Sequence, residues 1–156
     1  MIRKANWIWV AMFATLIFSC GKAEFYEQSE EIPNGEWHQA FVVSFEVDIK
    51  DTEAGYDIYL DYRNTDSYPY NNIWIYLETM YEGKLARVDT IPYVMQGPDG
   101  KWLGNHSGSM IDNHVKINDK EIRFRKAGKY KFKIRHAMRD EPLYGITDVG
   151  LTLSKK

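Results

Sequence analysis

The run Lys129-Tyr130-Lys131-Phe132-Lys133-Ile134-Arg135 decides the fold class, because apolar and basic side chains alternate along its whole length. Successive side chains of a β-strand point to opposite faces, so this alternation predicts a strand with one face in a core and the other in water. In a helix the same spacing would scatter the basic residues over every side and leave no apolar face. The run is therefore expected to pack against a second layer of sheet.

The same period of two recurs along most of the chain after Trp37. No internal repeat is present, and no window beyond the N-terminal segment has a helical period. Seven or eight short strands separated by turns predict an all-β chain folded as an antiparallel β-sandwich, with a jelly-roll or an immunoglobulin-like (Ig-like) topology. Besides the first run, the predicted strands lie at 41–48, 56–63, 73–78, 85–91, 122–125 and 149–153.

The composition limits the function classes that such a fold can serve. The chain has 156 residues, of which 44% are hydrophobic and 27% charged, which is typical of one globular domain and excludes a disordered tail. A net charge of −2 excludes a chain that binds nucleic acid through its overall charge. A single cysteine excludes a disulfide framework and a zinc site built from several thiolates.

The first 20 residues have the pattern of a lipoprotein signal sequence. Arg3-Lys4 gives a basic start, and the uncharged run Trp7–Phe18 is too short to span a bilayer, which needs about 20 helical residues. The run Leu16-Ile17-Phe18-Ser19-Cys20-Gly21 resembles a bacterial lipobox, in which the signal is cut before the cysteine and the cysteine is acylated. The alternative is an ordinary secreted protein that is cut nearby, with Cys20 left as a free thiol.

A lipidated cysteine would tie a soluble domain to a membrane through the acyl chains on Cys20. Gly21 follows the cysteine where an aspartate often retains lipoproteins in the inner membrane, so the outer membrane is the expected location. The segment after it is acidic and ends in the turn Pro33-Asn34-Gly35, with a short edge strand at Phe25 and Tyr26 as an alternative for its middle. The predicted parts are a signal peptide at 1–19, a lipidated cysteine and tether at 20–35, and a single β-sandwich domain at 36–156.

No arrangement of residues predicts catalysis, a metal site or a cofactor. The four histidines lack the spacing of a metal-binding helix, and the serines of 104–109 lack the strand–turn–helix setting of a nucleophile elbow. Pro98-Asp99-Gly100 is expected to be a β-turn, because the alternate acidic ligands of a calcium loop are missing. His136 continues the inward series of the first run, so a partly buried structural role is expected for it.

Charge is distributed unevenly along the chain. Residues 120–139 hold nine lysines and arginines and one acid, whereas residues 24–61 hold eleven acids and one lysine. The basic residues of the first run are interpreted as the solvated face of a strand, where charges also discourage edge pairing. The alternative is a basic patch for an acidic partner protein or an anionic glycan.

Aromatic side chains supply the candidate binding residues Tyr68, Tyr70, Trp74 and Trp102, since tyrosine and tryptophan anchor protein interfaces and stack on sugars. The loop 64–72 is expected to cross one end of the sandwich, where Pro69 would hold Tyr68 and Tyr70 in a defined presentation. At least half of these aromatic residues are expected to lie in the core instead.

The segment 137–150 mixes apolar, charged and turn residues and is predicted to be an ordered connection that closes the core. Met138, Leu143 and Ile146 are expected to pack inward, whereas Arg139 remains at the end as a further candidate binding residue. Pro142 removes a backbone donor, so a continuous central strand through it is not expected. A structural role is favoured over a binding role for this segment.

The order and spacing of several motifs resemble the gliding-motility lipoprotein GldH family over nearly the whole chain after Cys20. The resemblance implies a small outer-membrane lipoprotein without enzymatic activity, cofactor or catalytic residues. The implied partners are envelope proteins of the gliding machinery and its associated protein-secretion machinery; a surface glycan-binding lipoprotein is the alternative. The motifs are 62–64 and 68–74 (Tyr-Arg-Asn, Tyr-Pro-Tyr-Asn-Asn-Ile-Trp), 97–104, 128–132, 137–139, 143–146 and 148–151.

Overall fold

Eleven β-strands and one 3-10 turn at Pro33–Gly35 make up the regular structure of residues 24–156, the part of the chain that the computed structural model describes. The predicted signal peptide and Cys20 lie outside the described residues. The strands are β1 (Glu24–Glu31), β2 (Glu36–Trp37), β3 (Val43–Ile49), β4 (Tyr56–Thr65), β5 (Asn72–Tyr81), β6 (Lys84–Val94), β7 (Asn105–Ser107), β8 (Met110–Lys116), β9 (Gly128–His136), β10 (Leu143–Tyr144) and β11 (Ile146–Lys155).

The strands form two main sheets packed face to face, and every strand pair is antiparallel. The first sheet has the order β1-β11-β4-β8-β7, and the second has the order β3-β9-β5-β6. A short third pair joins β2 to β10. The prediction of an all-β antiparallel sandwich is therefore confirmed.

The core lies between the two sheets and is built by the predicted alternation. Along β3 every second residue is buried, and β9 buries Tyr130, Phe132 and Ile134 while Lys129 and Lys131 remain exposed. Each large apolar side chain that is fully buried contributes about 1.5–3 kcal/mol. The pairing of Phe45 with Phe132 shows how β3 and β9 share one buried face.

The sandwich has two ends, which the strand directions define. At the entry end, where β1 begins, lie the connections 50–55, 82–83 and 117–127. At the far end lie the connections 32–42, 66–71, 95–104 and 137–142. The long strands therefore run from one end to the other, whereas the short pair β2 and β10 lies at the far end, and the loops divide into two separate groups.

The structure corrects the predicted tether. Residues 24–31 form the strand β1, which pairs with β11 from Glu24 opposite Ser154 to Glu31 opposite Asp148. The described chain is thus part of the sheet from its first residue, which confirms the alternative of an edge strand at Phe25 and Tyr26. Acidic side chains did not prevent the strand, because β1 is an edge strand in which residues 27–31 are all exposed to solvent.

Two other strand assignments changed. The predicted strand 122–125 is not a strand; Ile122 makes only an isolated bridge to Tyr56, and the segment 117–127 closes one side of the entry end. Conversely, β8 was not predicted, because Asn113 interrupts its apolar alternation. Asn113 is nevertheless buried, and its amide donates to the Asn64 side chain at 2.9 Å.

Within residues 24–156 no helix has the length and hydrophobicity needed to cross a bilayer.

Candidate functional site: the far end of the sandwich

Three connections bring the candidate binding residues together at the far end. Tyr70 comes from the connection 66–71, Trp102 from 95–104 and Arg139 from 137–142. Trp74 lies near the start of β5, where its carbonyl accepts a hydrogen bond from the Ala137 backbone at 2.7 Å. Loops carry function more often than the elements that hold them, and four candidate residues meet on this one surface.

Tyr68 is not presented at this surface, and its predicted exposure is wrong. The side chain is only 3% exposed, and its hydroxyl donates to the Asn72 carbonyl at 3.0 Å. Burial raises the pKa of this phenol. Its ring lies 5.8 Å from the Tyr70 ring and 6.3 Å from the Trp102 ring, so Tyr68 supports the two aromatic residues from below.

Gly145 makes this packing possible. Its φ of +90° is a conformation that residues with a Cβ rarely adopt, and a Cβ there would lie 3.1 Å from the Tyr68 Cα. The Gly145 carbonyl also accepts a hydrogen bond from the Thr65 backbone at 2.9 Å. The backbone at Gly145, between β10 and β11, therefore packs closely against the loop that carries Tyr68.

A hydrogen bond joins two of the far-end connections directly. The Tyr70 hydroxyl donates to the Asp140 carboxylate, and this bond is the main cause that raises the pKa of Tyr70. Tyr70 is half-buried, whereas Asp140 and the neighbouring Arg139 are exposed. The loop 66–71 and the connection 137–142 thus present a single polar and aromatic edge.

Glu141 ties the same connection to the residues after β2. Its carboxylate accepts a hydrogen bond from the Gln39 backbone N–H at 2.9 Å, and the His38 Nδ1 lies 2.9 Å from its other oxygen. These contacts, led by the backbone bond, lower the pKa of Glu141. The Gln39 amide also donates to the Met138 carbonyl at 3.2 Å. Sequence analysis missed this pairing, because more than 100 residues separate its partners and no local pattern marks it.

His136 is buried beneath this cluster. Its ring packs edge-on against Trp37 at 5.3 Å, and its Nε2 lies 3.6 Å from Glu141, beyond hydrogen-bond distance. Burial lowers the pKa of His136, which favours the neutral ring. The expected structural role fits this position, although the ring is fully rather than partly buried.

Trp74 continues the far-end surface onto the outer face of the second sheet. It is 41% exposed, and Tyr76, two residues along the same strand face, is 38% exposed. The Arg135 guanidinium lies 5.5 Å above the Tyr76 ring, a cation–π distance. Pro92 pairs with Trp74 on the neighbouring edge strand. An exposed indole beside a tyrosine and a proline is a flat apolar surface that suits a protein or a sugar ring.

The basic face of β9 is largely neutralised. Lys129 forms an ion pair with Glu46 at 2.9 Å, and Arg135 forms one with Glu78 at 2.8 Å. Lys131 and Lys133 stand opposite the same two glutamates in the neighbouring strands. This arrangement favours the interpretation as a solvated strand face over a free basic patch.

A second polar surface, on the outer face of the first sheet, is internally satisfied. The Asp61 carboxylate lies 2.5 Å from the His114 Nδ1 and accepts a hydrogen bond from the Thr152 hydroxyl at 2.8 Å. Tyr59 stacks on the His114 ring at 4.2 Å. These contacts cross-link β4, β8 and β11. Within the described range 24–156, no group of three or more histidine, cysteine or acidic side chains has a geometry suited to a metal ion.

A profile of the GldH lipoprotein family matches residues 24–153 of this chain. The chain is 34% identical to a gliding motility lipoprotein GldH homolog of Christiangramia forsetii, over 99% of this chain and 98% of that protein. It is 30% identical to the gliding motility lipoprotein GldH of Flavobacterium johnsoniae, over 92% of each. A dimeric latent PorU from Porphyromonas gingivalis gives a TM-score of 0.37 at 7% identity, over 85% of this chain and 13% of that one, and so low a score supports no argument.

Proposed function

Because the chain belongs to the GldH lipoprotein family, we propose that it is a non-enzymatic lipoprotein of the bacterial cell envelope that contributes to gliding motility. Its signal peptide, residues 1–19, is removed, and acyl chains on Cys20 hold it at the outer membrane. It acts through protein–protein contacts with envelope proteins of the gliding machinery and its associated secretion apparatus. It uses no cofactor and binds no nucleic acid.

The position of β1 supports this proposal, because it orients the domain on its anchor. Cys20 precedes Glu24 by four residues, which span at most about 14 Å when extended. Glu24 lies at the entry end, opposite Ser154 at the end of β11. An acylated Cys20 therefore holds the entry end near the bilayer and points the far end away from it, toward other proteins of the envelope.

The far end has the composition of a protein-binding surface. Trp74 is exposed, and Tyr70 and Trp102 are half-buried and supported from below. Arg139 is exposed and precedes Asp140, the residue that Tyr70 bonds. Tryptophan, tyrosine and arginine are enriched among residues that contribute most to binding energy. We therefore assign the partner contact to Tyr70, Trp74, Trp102 and Arg139, with Tyr68 as their support.

A pull-down from solubilised envelopes tests this assignment. An epitope-tagged chain should capture envelope proteins, and the double variant Trp74→Ala/Arg139→Ala should lose most of them, because each such anchor commonly contributes about 2 kcal/mol or more. The matched control Val88→Ala/Lys131→Ala removes one exposed apolar and one exposed basic side chain away from the far end. The assignment would be abandoned if both variants captured the same proteins as the unmodified chain.

Glycan binding is the second candidate function, and the exposed pair Trp74 and Tyr76 favours it. Two aromatic side chains on one strand face can stack on consecutive sugar rings. A glycan array probed with the purified chain and with Trp74→Ala/Tyr76→Ala separates the two functions. The glycan function would be adopted in place of protein contact under two conditions. The chain would have to bind a defined glycan that this variant no longer binds, and the pull-down would have to capture no envelope protein.

A further inference from the structure

A groove opens at the side of the entry end, between β6 and the connection 117–127. It has a volume of about 820 Å³, within the range of small-molecule sites. Its floor is formed by apolar side chains of both sheets and of the connection. These include Ile58, Leu77, Ile91, Phe124 and Phe132.

The strand β6 leaves this groove open because it is the edge of its sheet. No described strand pairs with its outer side. On this strand Arg87, Asp89 and Ile91 face the groove, so one wall of the groove is formed by an unpaired edge strand.

The rim of the groove is basic. Five cationic side chains line it against only two carboxylates, Asp89 and Asp119; the cations are Arg87, Lys120, Arg123, Arg125 and Lys126.

Three of these cations remain free for a ligand. Arg87 pairs with Asp89 at 2.6 Å and Arg123 pairs with Glu121 at 3.1 Å. Among the described residues, Lys120, Arg125 and Lys126 have no carboxylate partner; the Lys126 ammonium instead lies 5.7 Å above the Tyr81 ring.

The groove lies beside the start of the described chain. Phe25 of β1 packs edge-on against Tyr56 at 5.6 Å, and Tyr56 packs against Phe124 of the groove floor at 5.3 Å. Ile122, on the groove lining, exchanges backbone hydrogen bonds of 2.8 and 2.9 Å with Tyr56. Ring contacts therefore join the start of the described chain to the groove floor.

We propose that this groove binds an anionic phospholipid of the membrane that carries the anchor. The phosphate lies against Lys120, Arg125 and Lys126, and the first part of one acyl chain lies along the apolar floor. A cationic mouth above an apolar floor matches an amphiphile with a negative headgroup. The placement of the groove beside the bilayer rests on the proposed acylation of Cys20. The shape and charges of the groove are independent of that acylation. A phospholipid is favoured over an acidic strand of another protein, because the rim faces the anchored end.

The test uses the mature chain 20–156 with Cys20→Ser, which contains every described residue and no acyl chain of its own. Its flotation with vesicles of phosphatidylcholine and phosphatidylglycerol in a three-to-one ratio is compared with flotation on phosphatidylcholine alone. The triple variant Lys120→Gln/Arg125→Gln/Lys126→Gln should weaken binding by about a hundredfold, since one basic residue strengthens binding to an anionic bilayer about fivefold. The control Lys101→Gln/Lys131→Gln/Lys133→Gln removes the same number of positive charges and should retain vesicle binding.

A second measurement separates the groove from simple charge attraction. Monomeric dihexanoyl-phosphatidylglycerol should bind the chain. Inorganic phosphate should bind at least about tenfold more weakly, because it lacks acyl chains. The variant Ala86→Trp, in the groove lining, should block lipid binding without changing the charge of the groove. Equal binding of phosphate and lipid, or no response to Ala86→Trp, would overturn the groove as an acyl site.

Absence of vesicle binding, with binding of a synthetic peptide of alternating glutamate and valine, would assign the groove to a protein strand at β6 instead. Because the tested chain carries no acyl group, these results leave the lipidation of Cys20 unaffected. That lipidation is decided separately by the mass of the native protein.

Discussion

At the scale of single residues, Leu143 and Arg139 separate the structural role of the connection 137–142 from its surface role. Leu143 follows that connection and is fully buried, whereas Arg139 is exposed. Leu143→Ala should lower the free energy of unfolding by about 2–5 kcal/mol, because it leaves a cavity. Arg139→Ala should change it by less than about 0.5 kcal/mol. Denaturant unfolding of both purified variants measures the difference.

Met138 is half-buried against the core. The loss of unfolding free energy in Met138→Ala should therefore lie between the losses in Leu143→Ala and Arg139→Ala. A loss of stability in Arg139→Ala as large as that in Leu143→Ala would contradict the division. If Arg139→Ala keeps its stability and location but abolishes motility, the result supports the partner contact at the far end.

At the scale of elements, Asp57 joins the entry-end halves of three strands. Its buried carboxylate on β4 lies 2.9 Å from Lys116 of β8 and 2.8 Å from Lys156, which follows β11. These hydrogen bonds, led by the one from Lys156, lower the pKa of Asp57 to about 2. A carboxyl group whose pKa is lower in the folded state stabilises the fold above its ordinary pKa near 4 and loses this contribution as the pH falls toward 2.

Asp57→Asn should therefore lower the free energy of unfolding at neutral pH by about 1.5–3 kcal/mol, the usual range for hydrogen bonds to a charged group. Between pH 4 and pH 2, the stability of the variant should also decrease less than that of the unmodified chain. Unfolding midpoints across this pH range measure both effects. Asp99→Asn serves as the control, because Asp99 is exposed and forms its ion pair with the exposed Lys101. An equal effect at both positions would refute the role of Asp57.

At the scale of the whole molecule, the proposed acylation of Cys20 predicts where the domain acts. Cys20→Ala should move the chain out of the membrane fraction, because acyl chains contribute about 0.8 kcal/mol per buried CH₂ group and none would remain. The melting temperature of the purified chain should stay unchanged, since the described sandwich is built from residues 24–156. Cell fractionation and intact-mass measurement test the anchor, and a native protein without acyl mass would disprove it.

Much of the fold was predictable because alternation is a local property of the sequence. The buried faces of β3, β4, β5 and β9 follow from their period of two. Two strands carry little of that signal. In β1, expected only as the alternative of an edge strand at Phe25 and Tyr26, residues 27–31 are all exposed, and β8, which was not predicted, places the polar Asn113 in the core. Asn113 becomes tolerable there only because the Asn64 side chain accepts its hydrogen bond.

The candidate site was predictable only in its composition. The aromatic residues and Arg139 were recognisable as residue types that bind, yet whether each is exposed depends on contacts with distant segments. Tyr68 and Tyr70 are two residues apart, but one is buried over the Asn72 carbonyl and the other bonds to Asp140, 70 positions later. The groove proposed to bind phospholipid has a local signal only in its basic rim, which belongs to the basic run 120–139, since its floor comes from both sheets.

By itself, the sequence determined the all-β class, the face of each regular strand that is buried, the candidate lipidation residue and the family resemblance. These depend on neighbouring residues or on motif order, so no long-range contact is needed to recognise them. Only the tertiary structure decided the strand order, the separation of an entry end from a far end, and the burial of Tyr68. These depend on pairings such as that of His38 with Glu141, 103 residues apart, which chain folding creates and no local pattern encodes.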